Sequence, residues 1–426
     1  MKNSKPLYGF LWICLFLSGC SYEDKDQLNE DFNSDTTRIF NTTIGNPPKL
    51  PTRSSNELIV EYQLGTTEIV KNHLRDKYNV IKYEKCDCTN NRIEKWLFDR
   101  NVDIEGRKGD IAQEGGVEGT DFQFFYNNEN ASPGALGNNI GEQSDELIRS
   151  FVKSGNSGIT IAVLDTGINL QALPPSSPFL YQSRSTQRSC EVDRRAEISG
   201  WDFVNHDNDV YDDNGHGTIV TSIIKSRLYE EHVWDYKILP VKVFDHLGKG
   251  STFDILCGYL YTVNKPEVSA INMSFGWYGN PSSLLDKFIS ENPDILHISS
   301  SGNHGYDNDT VDHYPSSTGY THVLAIGSFS VIEETIIKSP FSNYGVTEVD
   351  FLSFGNEVPF YDSYGSSYEV SGTSYAAPLV TAKAAKYYLN GYTTPIGMVQ
   401  QIRINGTLLS GESSPLPVYY GDRIIE

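Results

Sequence analysis

Four residue types in this chain could be joined into one chemistry: a serine among small residues, a histidine between glycines, an aspartate ending an apolar run, and an asparagine after a serine-rich turn. Ser374 lies in Gly372-Thr373-Ser374-Tyr375-Ala376-Ala377-Pro378, at the mouth of an apolar helical stretch from Tyr375 to Leu389. A serine hydroxyl is a weak nucleophile until a base takes its proton and donors hold the oxyanion that it creates. His216, in Asn214-Gly215-His216-Gly217-Thr218, is the candidate base; its flanking glycines let the backbone approach a ligand, and a helix opens behind it. Asp165 closes the β-branched run Ile159-Thr160-Ile161-Ala162-Val163-Leu164, which places a carboxylate at the C-terminal edge of a buried strand. Asn303, in Ser299-Ser300-Ser301-Gly302-Asn303, follows a strand over 294–298, and its amide is a candidate oxyanion donor beside the Ser374 backbone N–H. Each motif alone reads as a turn, a capping histidine or an asparagine in a left-handed bend. Their order, each at a junction between elements, points to nucleophilic acyl transfer.

The elements that must position these groups form a recognisable series. The order Asp165, His216, Ser374 resembles the subtilisin-like serine proteases, the subtilases of peptidase family S8. Ile271-Asn272-Met273-Ser274-Phe275-Gly276 is similar to the family strand that lines the primary specificity pocket, and Lys249-Gly250-Ser251-Thr252 to its opposite substrate-binding edge. Phe341-Ser342-Asn343-Tyr344-Gly345 resembles the family's Phe-Ser-x-x-Gly loop. The likeness covers roughly residues 145 to 405, with Ile219 standing where many members carry a second histidine. It implies a three-layer α/β/α domain with a central parallel sheet, a catalytic set of Asp165, His216 and Ser374, and Asn303 as oxyanion donor. It further implies a polypeptide substrate held by Gly250, Ser251, Thr252, Ser274, Phe275, Gly276, Ser300, Ser301 and Gly302, and no cofactor in the chemistry.

Composition fits an enzyme of this kind. The 426 residues suffice for one large domain and a smaller one, and a net charge of −21 disfavours nucleic acid as a partner. A monomer is expected. Residues 1–19 read as a signal peptide: a basic start, then an apolar core from Leu7 to Leu17 too short to span a bilayer. Leu17-Ser18-Gly19-Cys20 resembles a bacterial lipobox, with Cys20 lipidated, which implies membrane attachment outside the cytoplasm, at the outer membrane or cell surface. Residues 20–54 read as a polar tether. Cys86, Cys88, Cys190 and Cys257 then remain for disulfides, with three pairings open.

Residues 55–100 read as a small α+β unit resembling a subtilase propeptide: a strand over 57–62, a helix over 66–78 with Val70, His73, Leu74 and Tyr78 on one face, and strands over 81–84 and 93–98. Residues 101–144, rich in Gly, Asn and Asp, read as a linker with a processing site, and 145–426 as the catalytic domain. Asp202, Asp207, Asp209 and Asp212 crowd the loop before His216, where several subtilases bind calcium; a structural calcium is the one metal expected. Asp307, Asp309 and Asp312 follow the oxyanion loop and could favour Lys or Arg substrates. Two alternatives share the sequence features: a processing protease with a single secreted partner, and an inactive binding protein.

Overall fold

The computed structural model describes residues 49–89, 91–128, 142–155, 157–183, 190–192, 195–409 and 416–426; the leader, Cys20 and the tether up to residue 48 lie outside the described residues. The largest of the five sheets among the described residues has ten strands. Its parallel spine runs in the order Arg423–Ile425, Phe351–Phe354, Val323–Ile332, Leu296–Ser300, Val268–Met273, Ile159–Asp165, Tyr236–Lys242 and Trp201–Asp202. Every residue of Ile159–Asp165 is buried, as expected for a strand covered on both faces. Its side chains alternate between two cores. Ile161 and Val163 join the helices His216–Glu230 and Thr373–Leu389 on one face, through Ile219, Val220, Ala377 and Val380. Ala162 and Leu164 join Thr252–Val263 and Ser283–Ser290 on the other, through Leu256, Leu260 and Phe288. The result is the three-layer α/β/α domain, with Ile219 serving as a buried core residue at 2% exposure.

The N-terminal unit is larger than the sequence pattern implies. Its strands Thr52–Tyr62, Lys82–Lys85, Ile93–Leu97 and Val117–Asn127 form an antiparallel sheet, with helices Glu68–Lys77 and Ile104–Ala112 packed on it. Residues 104–127 therefore hold a helix and a strand rather than a linker, and the first strand already begins at Thr52. The signals were present but overshadowed by the Gly and Asp content: Asp103 caps the second helix by accepting from the Gly106 N–H, and Phe122, Phe124 and Tyr126 fall at alternate positions of the last strand. In the first helix the buried face is Lys71, Leu74, Arg75 and Tyr78, while Val70 and His73 are exposed. The reason is a buried ion pair, Arg75 with Glu94 on the neighbouring strand, which turns the helix toward its charged side.

This unit is fastened to the larger domain at several points. Lys249–Ser251 of the larger domain pairs antiparallel with Phe125–Asn127 and so becomes the fifth strand of the small sheet. Asp121 accepts from the Ser282 hydroxyl (2.7 Å) and the Leu284 N–H (3.1 Å), capping Ser283–Ser290 from outside its own unit. Buried Glu61 accepts from Lys287. Disulfides join Cys86 to Cys257 and Cys88 to Cys190, so both bridges cross between the units. His206 stands between Asp87 (3.1 Å) and Glu84 (3.4 Å) of the small unit.

Hydrogen bonds to Asp87 and Glu84 push the His206 imidazole from its ordinary 6.5 up to about 10. Burial would raise the Glu84 carboxyl, but hydrogen bonds from His206 and Lys95 outweigh it and hold the group down to about 2. A raised histidine contributes stability that is complete below its unfolded value and lost as pH rises through the folded one. The His206→Gln variant should therefore lose thermal stability relative to wild type near pH 7, and the gap should close as pH passes about 10. Thermal scans of both proteins across that range check this; an equal deficit at both ends would remove charge from the explanation.

Candidate active site

Asp165 ends its strand with a fully buried carboxylate. Its Oδ1 accepts the Thr166 N–H (2.7 Å) and the His216 Nδ1–H (2.7 Å). A carboxylate only accepts, so this contact fixes the proton on Nδ1 and leaves Nε2 as the basic nitrogen. Nε2 is buried and accepts from no protein group among the described residues. His216 is the first residue of its helix, and the turn before it is held by Asp212. Asp212 Oδ1 accepts from Gly215 N (2.7 Å) and Asn214 N (3.1 Å), while Oδ2 accepts from Thr218 N (2.8 Å) and its hydroxyl (2.6 Å). Buried Lys242 donates to the Thr166 carbonyl and to Asp213, bracing the Asp165 turn.

Ser374 is the second residue of the helix Thr373–Leu389, where the helix dipole favours negative charge. The Tyr375 ring packs 5.4 Å from the His216 imidazole, centre to centre. A chain of side chains holds the serine's backbone: the Ser274 hydroxyl donates to the Ser374 carbonyl (2.8 Å), Asn272 Nδ2 donates to Ser274 Oγ (2.9 Å), and the Thr381 hydroxyl donates to Asn272 Oδ1 (2.9 Å). Asn303 accepts from Thr373 N (2.8 Å) and from the Thr373 hydroxyl (3.0 Å) through Oδ1, which leaves its NH₂ as the donating end. A cavity beside Ser374 is lined by Phe275, Gly276, Ser300, Gly302 and Asn303. This arrangement can take a hydroxyl proton, attack a carbonyl and meet the resulting oxyanion with an amide.

The structure thus brings most of the expected site residues together. Ser301 is the exception; it is turned into the core, fully buried, with its carbonyl accepting from Asn308 Nδ2. Ser274 acts on the backbone of Ser374 and does not line the cavity. Gly250 and Ser251 pair with Tyr126 and Phe125, and the Thr252 hydroxyl accepts from Phe124 N (3.0 Å). The positioning roles of Asn272, Thr381, Asp212 and Lys242 escaped sequence reasoning. Only Asp212 carried a signal, an acid four residues before the first residue of a helix. Asp309 accepts from Val346 N (2.9 Å), Thr347 N (3.0 Å) and Glu348 N (3.0 Å), and Asp312 accepts from the Tyr314 hydroxyl. Neither these nor Asp307 line the cavity, and no carboxylate does among the described residues.

A family model for the subtilases matches residues 156–402. The chain belongs to the subtilase family. It is 32% identical over 229 residues to the cell wall-associated protease of Bacillus subtilis (strain 168), covering 53% of this chain and 23% of that protein. It is 31% identical over 236 residues to alkaline serine exoprotease A of Vibrio alginolyticus, covering 54% and 38% respectively. The chain therefore spans well under two thirds of these relatives. Among solved structures, a cold-adapted subtilisin-like serine proteinase aligns at 23% identity with a TM-score of 0.47, covering 63% of this chain and 91% of that one.

Among the described residues, the carboxylates of the acidic loop accept from neighbouring groups of the protein. Asp202 accepts from Val204 N, Asn205 N and Asn205 Nδ2; Asp207 pairs with Arg195; Asp209 accepts from Gln143 N and Tyr211 N. Asp212 is committed to the helix start, and no three His, Cys, Asp or Glu side chains converge for a metal among the described residues. EDTA should accordingly leave the melting temperature unchanged. Asp212→Ala should lower stability by about 1–3 kcal/mol, because four donors lose their acceptor. Thermal scans with and without chelator read both.

Proposed function

We propose that this chain is a serine endopeptidase acting outside the cytoplasm, anchored by a lipid on Cys20, in which Asp165, His216 and Ser374 form the catalytic set. The observation that carries the reading is a polypeptide already lying in the cleft. The last strand of the N-terminal unit runs antiparallel along Lys249–Ser251, Asn128 N donates to the Gly248 carbonyl (2.7 Å), and Asn128 Nδ2 comes within 3.5 Å of His216 Nδ1. The Tyr126 ring packs on Trp277 at 4.3 Å. Strand addition of this kind is how an extended substrate is held without regard to most of its side chains.

In the proposed reaction, His216 Nε2 takes the Ser374 proton as Oγ bonds to the substrate carbonyl carbon. The tetrahedral oxyanion receives the Asn303 amide and the Ser374 N–H. The C–N bond then breaks as His216 returns the proton to the leaving amine, and water releases the acyl group by the same route. Asp165 keeps the imidazole in one tautomer and stabilises its charged form. The extracytoplasmic assignment rests on the leader and Leu17-Ser18-Gly19-Cys20, and it agrees with the cell-wall association named for the Bacillus subtilis relative.

The N-terminal unit acts in this reading as an internal inhibitor that fills the cleft until it is cut. Its two disulfides to the larger domain would keep it attached after the cut. Purified wild-type chain should then run as one band without reductant and as two with it, cut between residues 128 and 142, while Ser374→Ala stays single in both. A wild type that stays whole and leaves casein intact would favour the inactive binding protein. In cleaved enzyme, Asn303→Ala should lower kcat by about 10²–10³ with little change in KM, as steady-state peptide hydrolysis would show.

A further inference from the structure

The cavity beside Ser374 has a base and walls whose chemistry selects what it holds. Gly276 and Gly302 form two sides, and between them lies the ring edge of His313: a Cβ on Gly276 would stand 2.6 Å from Nε2, and one on Gly302 2.9 Å from Cδ2. The Ser316 hydroxyl donates to the His313 carbonyl (2.7 Å), so Ser316 Oγ is the acceptor for His313 Nδ1–H (2.9 Å). That pair fixes the ring and directs Nε2 to the cavity side. Tyr278 lines the same cavity, its ring 5.0 Å from His313 and 5.1 Å from His304, with its hydroxyl 3.1 Å from His304 Nδ1. Lys49 and the aromatic residues Phe275 and Trp277 also line it. In a chain of net charge −21, no carboxylate lines this cavity among the described residues.

We infer, on the protease reading given above, that this cavity takes the side chain of a glutamate whose carbonyl is attacked, and that His313 is the residue that selects it. The His313 imidazole, the Tyr278 phenol and the Lys49 ammonium line it with no carboxylate among the described residues, so an anionic side chain meets no like charge there, in a chain that is itself strongly negative. Burial, reinforced by His304, holds the His313 imidazole down to about 3, so the empty pocket keeps it neutral. An entering carboxylate supplies the counter-charge that lets Nε2 carry a proton and donate it, a partner that an apolar side chain lacks and a lysine opposes. The chain supplies a first substrate of this class. Asn128, whose side-chain amide lies 3.5 Å from His216 Nδ1, is followed in sequence by Glu129.

The test uses cleaved wild-type enzyme and peptides reading Tyr-Asn-Asn-X before the reporter, with X as Glu, Gln, Ala, Phe or Lys. Glu should lead in kcat/KM by at least about tenfold over Gln and by more over Phe and Lys. His313→Gln should shrink the ratio of Glu to Ala, mainly through KM. N-terminal sequencing of the larger fragment should begin at Asn130, and Glu129→Lys should slow or move the cut. Efficient cleavage after Phe or Lys with casein still degraded would overturn the glutamate assignment and leave the protease reading standing. Loss of all Ser374-dependent hydrolysis, of casein as well as peptides, would overturn both.

Discussion

The main-chain pairing between residues 125–128 and 248–251 decides how the rest of this molecule is organised. Lys249–Ser251 is a short strand that leads directly into the helix Thr252–Val263, and left alone it would expose a row of unpaired N–H and C=O groups. The N-terminal unit supplies the missing partner. Because the pairing is antiparallel, the chain direction carries Asn128 toward His216 and Ser374, and the aromatic alternation of Phe124 and Tyr126 seats one ring on Trp277. The same exposed edge that would accept any extended polypeptide is thus the edge that the protein covers with its own.

The fastenings around this strand are of different physical kinds. Backbone pairing is local and indifferent to pH. The Asp121 cap and the Glu61–Lys287 pair are buried or half-buried electrostatic contacts, costly to break on one side only. The Cys86–Cys257 and Cys88–Cys190 bridges are covalent and hold regardless of whether the backbone after Asn128 is continuous. On the proposed reading of the N-terminal unit as an inhibitor, these bridges would keep it at high local concentration after a cut, so that its displacement from the cleft would be a competition with substrate.

Much of the catalytic domain was legible in the sequence because its signals are local. Ile159–Leu164 is a continuous apolar strand ending in Asp165, and glycines flank His216; each motif sits at a junction that the fold turns into one edge of the parallel sheet. What was not legible depends on distant partners. Val117–Asn127 reads as polar loop until its two neighbours, one of them more than a hundred residues away, give its alternation a meaning. The face of Glu68–Lys77 is set by the Arg75–Glu94 pair, which hydrophobic periodicity does not anticipate. Of the aspartates before His216, Asp202, Asp209 and Asp212 accept from neighbouring backbone N–H groups and Asp207 pairs with Arg195, partners set by loop geometry that composition does not show. The His313 imidazole beside the serine comes from a segment after the oxyanion loop, and its contribution to the cavity appears only when Tyr278 and Gly276 are packed against it.

The most direct test of the account is covalent labelling with a fluorophosphonate, which needs an activated serine: Oγ bonds to phosphorus, fluoride leaves, and the serine proton passes to the base. With cleaved wild-type enzyme and peptide mapping by mass spectrometry, the label should fall on Ser374, and His216→Ala should abolish it. A label on another serine, or labelling of Ser374 that is indifferent to His216, would contradict the central claim that the Asp165–His216 pair makes Ser374 a nucleophile.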